Sequence, residues 1–343
     1  GMADNWNRHQ GIRVLVRGPK GQENSLLDVE YTPDPVTFEW EGEVNTCDQI
    51  INLAYYEPFG GVSDFNLVGN PFPAAINLRN IGRTAQVGTS YWVWLPRESN
   101  VGVSGRGGRY INTPFTAGTD EAILPIGGAF FVRAGAAGQS LTIRETDKTN
   151  ANEPLQSVAG TTLRRDTDVK SLYGSNSLQL SLSSSEDEWD RVLVFFDESA
   201  TSTVEQADGT KLVNPEVNLF TVSEDDFALS IDSRPYQEAE GAETNTNRIP
   251  LHILSPARAY TLSLPDFDLE EGRTLRLYDL FTEEYITLQK GTTYDFEVTD
   301  DPRTKGHRFD IVMGIEVITS IHPSNHRFQA YLLPNPAQEQ VRI

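Results

Sequence analysis

Histidines, a lone cysteine, tryptophans and knots of carboxylates are the residues with which this 343-residue chain could do chemistry. His322 and His326 stand four apart, a spacing that sets two ligands on one face of a helix. Pro323 and Ser324 lie between them, however, so the stretch reads as a loop, and no further ligand accompanies it. His9, His252 and His307 are isolated in sequence. Glu186, Asp187, Glu188 and Asp190 fall in one expected turn, Glu224, Asp225 and Asp226 in a second, Asp300 and Asp301 in a third. A glycosidase needs two carboxylates about 5–10 Å apart across a cleft, a relation that spacing alone does not establish. The oxygen-ligand spacing of an EF-hand calcium loop is not present, so solvated turn charge is the expectation, with hard-cation binding as its alternative. There is no GxSxG elbow, P-loop or dinucleotide fingerprint, and the glycine-rich Gly102–Gly108 lacks the strand–loop–helix setting of a phosphate cradle. No catalytic, cofactor-binding or metal-ligating residue is therefore assigned, no enzyme is expected, and the ligand-binding residues stay open. Trp92 and Trp94 form a paired strip on which a sugar ring could stack, but their strand neighbours favour core packing, and with Trp40 and Trp189 the choice turns on whether the rings are exposed or buried.

The elements that would position these residues are strands throughout. Ile12, Val14 and Val16 alternate with Arg13, Leu15 and Arg17, and Phe38 and Trp40 alternate with Thr37 and Glu39. Trp92 and Trp94 share one face of a strand while Tyr91, Val93 and Leu95 share the other, which predicts a central strand covered on both sides. Leu178, Leu180 and Leu182, then Tyr260, Leu262 and Leu264, Tyr294, Phe296 and Val298, and Phe309, Ile311 and Met313 repeat the period of two. Arg191–Phe196 is a continuous apolar run suited to a buried central strand. Asp208-Gly209, Glu271-Gly272 and Lys290-Gly291 read as turns between strands. In Phe65–Pro73, FNLVGNPFP, a strand ends at a corner: Gly69 and Asn70 tolerate positive φ, and Pro71 and Pro73 cannot donate to a ladder. The expected fold is all-β, two antiparallel β-sandwiches (Ig-like or jelly-roll-like) in tandem. The expected divisions are a module at 1–150, a polar linker or edge segment at 151–176, an acidic module at 177–320 and a tail at 321–343.

Charge and composition narrow the partners. Of the formal charge of −21, residues 181–301 carry −19, with 8 Lys and Arg against 27 Asp and Glu. So acidic a surface repels phosphate backbones and anionic lipid, which argues against nucleic acid and membrane docking. No apolar run of about 18 residues is present, so no transmembrane segment is expected. Cys47 is the only cysteine, so no internal disulfide is possible. Gly1-Met2 reads as a cloning remnant with no apolar leader after it, and the chain is expected to be a piece whose targeting segment has been removed.

Two stretches carry a family resemblance. FNLVGNPFPAAINL resembles the NLVGNPYP block of large secreted surface proteins of the Bacteroidetes, with Phe72 where tyrosine is commoner. SYWVWLP at 90–96, GVSGRGGRYI at 102–111 and IGGAFFVRA at 126–134 follow in that family's order. DGTKL at 208–212, IPLHI at 249–253 and LYDLFTEEYITL at 277–288 resemble the module that commonly follows it. YLLPNPAQEQVRI at 331–343 is similar to the opening of the C-terminal sorting domain of type IX secretion cargo. The resemblance implies export through the periplasm to the outer-membrane surface or the medium, and the secretion machinery as one partner. An extracellular protein or glycan of unknown identity is the other. A non-catalytic adhesion or extracellular binding module is the function expected, with a carbohydrate-binding module of a larger secreted hydrolase as the alternative.

Overall fold

The computed structural model describes residues 8–12, 37, 39, 42–55, 65–96, 108–116, 122–150, 176–184, 189–236 and 248–315. The alternations at Val14–Val16 and Phe38–Trp40, nearly all of the glycine-rich loop, the 151–175 linker, Glu186–Glu188, the His322/His326 pair and the PNP tail lie outside them.

Strands β1 (Gln49–Asn52), β2 (Phe65–Gly69), β3 (Ile76–Asn77), β4 (Gly82–Arg83), β5 (Val87–Pro96), β6 (Gly108–Pro114), β7 (Ile123–Leu124), β8 (Ala129–Ala134) and β9 (Ser140–Ile143) build the first half. A four-stranded sheet in the order β2-β8-β5-β6 faces a three-stranded sheet in the order β1-β9-β4, and β3 pairs β7. Between them lies an apolar core in which Val68, Tyr91, Val93, Ile111, Phe130 and Val132 meet Ile51, Leu141 and Ile143. The period of two explains this directly, because alternate residues of β5 and β8 point to one face. The corner after β2 is held by Asn70, whose Oδ1 accepts from Phe72 N (3.0 Å) while its Nδ2 donates to Ala74 O (2.8 Å) and Pro125 O (2.9 Å). Neither Gly69 nor Asn70 uses the left-handed region expected of them. The amide side chain, rather than a reversed backbone, makes the corner.

The second half contains β10 (Ser177–Ser183), β11 (Trp189–Phe196), β12 (Gly209–Thr210), β13 (Leu219–Val222), β14 (Ala228–Arg234), β15 (Arg248–Ile253), β16 (Arg258–Asp268), β17 (Arg273–Asp279), β18 (Glu284–Thr287), β19 (Thr292–Val298) and β20 (Gly306–Ile315). They form one sheet in the order β18-β17-β20-β15-β13-β14-β11-β10-β16-β19, with β12 paired to β14. All of its pairs are antiparallel except β11 with β14. The sheet curls so that its two ends face each other over a single core of Leu, Ile, Val and Phe side chains drawn from β10, β11, β15, β16, β17, β19 and β20. The sandwich layers of this half are thus two arms of one sheet.

A buried ion pair fastens the curl. Arg308 on β20 places Nη2 3.0 Å and Nε 3.3 Å from the Asp279 carboxylate on β17, and its Nη1 donates to Glu297 O on β19 (2.7 Å). Tyr294 OH, also on β19, donates to Asp279 Oδ2 (3.0 Å). Two charges deprived of water persist only when their remaining hydrogen-bonding sites are filled, as they are here. Gly272 and Gly291 take φ of +86° and +83° in the turns expected of them. Among the described residues the only helices are single 3₁₀ turns of three residues. None is long and apolar enough to cross a membrane.

Candidate functional site

The strand carrying Trp92 and Trp94 is central, as its two apolar faces require, but those faces meet different partners. Tyr91 and Val93 enter the first core. Trp92, only 2% exposed, turns away from it towards the second half, where its Nε1 donates to Thr210 O (3.1 Å). Its ring packs edge-on to Phe65 at 4.8 Å. The expectation of burial therefore holds for Trp92, and the place is the junction between the halves rather than a core. Trp94 is half-buried and lies edge-on to Tyr110 at 4.8 Å. Trp189, from β11 of the second half, is 5% exposed and packs with the core of the first, under the Arg109 guanidinium at 4.2 Å from its ring centre. Trp40 lies outside the described residues.

Residues 208–212, DGTKL, build this junction. The turn indicated by Asp208-Gly209 lies one step earlier, at Glu205–Asp208, where Asp208 N donates to Glu205 O (3.2 Å), and Gly209 opens strand β12 beside Ile231. A Cβ there would sit 2.0 Å from Asn112 Nδ2 and 3.1 Å from Ile231 Cβ, so a larger residue would force the Asn112 amide out of its place in the junction. Asn112 in turn donates to Ser230 Oγ (2.9 Å). It stands on β6, the edge of the four-stranded sheet, whose outward backbone groups would otherwise lack strand partners. The second half supplies them: Tyr110 N donates to Asn214 Oδ1 (2.8 Å), and Arg191 Nη2 donates to Asn112 O (3.3 Å). Arg133 Nη1 donates to Thr210 Oγ1 (3.1 Å), and Gln206 Nε2 to Ala85 O and to Val87 O (3.1 Å for the latter).

Charge is sealed in the same place. Lys211 Nζ lies 2.5 Å from Asp190 Oδ2, with the two side chains 2% and 3% exposed, and the same oxygen accepts from Leu219 N (2.7 Å). Asp190 is therefore a buried strand residue and not part of a solvated acidic turn. The Asp208 carboxylate accepts from Ser233 N (2.7 Å) and Glu205 N (2.6 Å). Burial, with Asp232 and Glu205 nearby, outweighs those two donors and pushes its pKa up to about 7. Beside it opens a cleft of about 310 Å³ between the halves, lined by Gln86, Trp92, Arg133, Glu205, Gln206 and Asp208 among others. Glu205 and Asp208 belong to one turn and one wall of this cleft, so they do not oppose each other across it as a glycosidase pair would.

The other acidic turns are structural. Asp225 accepts from Ser223 Oγ (2.6 Å) and Val204 N (2.9 Å), and those hydrogen bonds hold its carboxyl below the usual range. Asp301 caps the 3₁₀ turn at Pro302–Thr304 and pairs with Arg303 at 2.6 Å. Among the described residues no group of three or more His, Cys, Asp or Glu is placed to hold a metal ion.

One constellation was not legible in the sequence. His252 on β15 and His307 on β20 are cross-strand neighbours, their rings stacked at 5.1 Å and within 9° of parallel, with Phe220 continuing the stack at 5.4 Å. His307 Nε2 lies 2.6 Å and Arg248 Nη1 3.0 Å from the Asp310 carboxylate. Burial works to raise that carboxyl, but the two hydrogen bonds outweigh it and hold it below the ordinary range. Burial, and the neighbouring His307, push His252 down to about 4. The strands concerned are far apart in sequence and meet only through sheet order, so no spacing rule could have joined them. No protein-family model, curated protein or solved structure matches the chain.

Proposed function

We propose that this chain is a non-catalytic module of a secreted Bacteroidetes surface protein, serving adhesion or extracellular binding and exported by the type IX route. The observation that carries the choice between binding modes is the burial of Trp92 and Trp189 at the junction. A sugar ring stacks on an open aromatic face, and these two faces are closed by protein. The two halves interlock through side chains that hydrogen-bond across the β6 edge and through reciprocal tryptophans, which suits a stiff body that displays surfaces rather than one that closes on a substrate. The export route rests on the resemblance at 65–73 and on Pro334-Asn335-Pro336 near the chain end.

A carbohydrate-binding module is the second reading, favoured by Trp94, which is only half-buried beside Tyr110. An array of matrix proteins and polysaccharides, probed with the purified chain, separates the two. Retention on a protein supports the binding reading. Retention on a polysaccharide that is lost in Trp94→Ala with unchanged melting replaces it by the carbohydrate reading, and release of reducing ends from an arrayed glycan replaces it by a hydrolase. For export, a full-length protein lacking everything after Ala330 should fail to reach the surface. Normal surface amounts of that protein would show the tail to be structural only.

A further inference from the structure

The outer wall of the curled sheet carries charge opposite to the rest of the second half. Ile249, Leu251, Leu275, Leu277, Phe309 and Ile311 point into the core, so Arg248, His252, Arg276, Tyr278 and Asp310, alternating with them, face outward, and the β-bulge between Leu251 and His252 brings His307 opposite His252. Arg276 and Tyr278 on β17 stand opposite Thr287 and Tyr285 on the edge strand β18. The result is a contiguous strip of Arg248, Arg276, Tyr278, Tyr285, His252 and His307. Its one carboxylate, Asp310, offsets Arg248 and is also met by His307, and His252, pushed down to about 4, is neutral at neutral pH, so Arg276 is the uncompensated cation of the strip. Arg276 has no carboxylate partner among the described residues and leans over the Tyr285 ring at 4.7 Å. Tyr285 is 45% exposed, meets Tyr278 at 4.5 Å, and its hydroxyl accepts from Arg248 Nη2 (2.9 Å). Such a strip is conspicuous in a region whose net charge is −19 over residues 181–301.

We propose that this strip is the docking surface for an acidic polypeptide segment of a partner protein, an inference that rests on reading the chain as an extracellular binding module. Charge complementarity selects the sign: a cationic strip on an anionic body steers an acidic segment to one place and repels it elsewhere. Composition selects the class, since tyrosine and arginine are the residues enriched where proteins meet. The Phe220, His252 and His307 stack covers both faces of His252 and one face of each neighbour, which leaves less open aromatic face for a sugar. Arg276 and Arg248, propped on tyrosine rings, are held with less freedom than solvated arginines, which lowers the entropy lost on binding.

The test uses fluorescence anisotropy of a short labelled Asp/Glu peptide titrated with the whole chain, Arg276→Glu and, as a control for net charge, Arg79→Glu on the exposed surface of the first half. The proposal expects binding that weakens with added salt, falls about tenfold or more in Arg276→Glu and is unchanged in Arg79→Glu. Equal weakening by both variants, or none by Arg276→Glu, overturns it. A heparin fragment that binds with Arg276 dependence while the peptide does not would assign the strip to sulfated glycans instead, and also overturns it. Self-association lost in Arg276→Glu, measured by sedimentation without peptide, would make a second copy the occupant, with the same consequence. Failure here leaves the binding-module reading standing if the array finds a protein ligand insensitive to Arg276→Glu. Glycan cleavage on that array removes the broader reading whatever the strip does.

Discussion

The two faces of the four-stranded sheet bury comparable strands by opposite chemistry. Facing inward, Tyr91, Val93, Phe130 and Val132 fill an apolar core in which nothing must be matched but shape. Facing the second half, Trp92, Asn112 and Arg133 hydrogen-bond to Thr210, Ser230 and Arg191, with the Lys211–Asp190 pair of the second half buried just behind them. An apolar face tolerates small shifts of register, whereas a polar one fixes position, because a misplaced buried donor loses its bond and still pays its desolvation. The first face makes a module; the second sets how that module sits on its neighbour.

The largest expected effect removes the charge pair buried in the second half behind that polar face. Lys211→Met leaves Asp190 buried without its ammonium and should lower stability by about 3–5 kcal/mol in urea melts. Adding Asp190→Leu to it should recover part of that loss, since an apolar pair of similar volume is often nearly neutral. No recovery would mean that the hydrogen bond from Leu219 N, and not the ion pair, is what Asp190 serves. Next, Gly209→Ala should lower stability by about 1–3 kcal/mol through overpacking, and Asn112→Ala in the same protein should relieve the clash so that the two changes are not additive. Additive losses would place the strain elsewhere.

A further effect reads the junction through pH. Folding raises the Asp208 carboxyl from 3.8 to about 7, so over that window the folded protein keeps a proton that the unfolded chain has released. This group therefore makes stability fall as pH rises from about 4 to 7. His252 acts in the opposite sense: lowered from 6.5 to about 4, its contribution is complete above 6.5 and lost as pH falls towards 4. Asp208→Asn should remove the first trend and leave the second, making stability climb more steeply from pH 4 to 6.5. An unchanged profile would show that the Ser233 and Glu205 amides keep Asp208 ionised after all. Smallest of all, Trp92→Phe keeps a ring but loses the bond to Thr210 O, for about 1–2 kcal/mol. A loss as large as that of Lys211→Met would mean that shape, not polarity, dominates this face too.

How much of this was legible follows from what each residue reports. Period two exposed the strands, and Gly272 and Gly291 announced their turns, because both signals act between near neighbours. The apolar run at 191–196 identified the central strand correctly, and it lies between β10 and β14. Gly209 indicated its turn one step late, since a glycine at a close approach looks the same as one chosen for a turn. The Asp190–Lys211, Asp279–Arg308 and His252–His307 pairs join strands whose adjacency depends on sheet order, which alternation does not encode. One signal was present: Asp190 in WDRVLVFF, Asp279 in LYDLF and Arg308 in HRFDIV are charges set inside apolar strands, and such charges must find partners.

The most direct test of the two halves as one rigid body is a distance between them. With Cys47 replaced by serine, spin labels at Ile126→Cys in the first half and Leu254→Cys in the second, positions 57% and 52% exposed, can be read by double electron–electron resonance. A joint fixed by matched polar contacts predicts a single narrow distance distribution that broadens when Asn112→Ala and Arg133→Ala are combined. A distribution already broad or bimodal in the otherwise unaltered protein would contradict it.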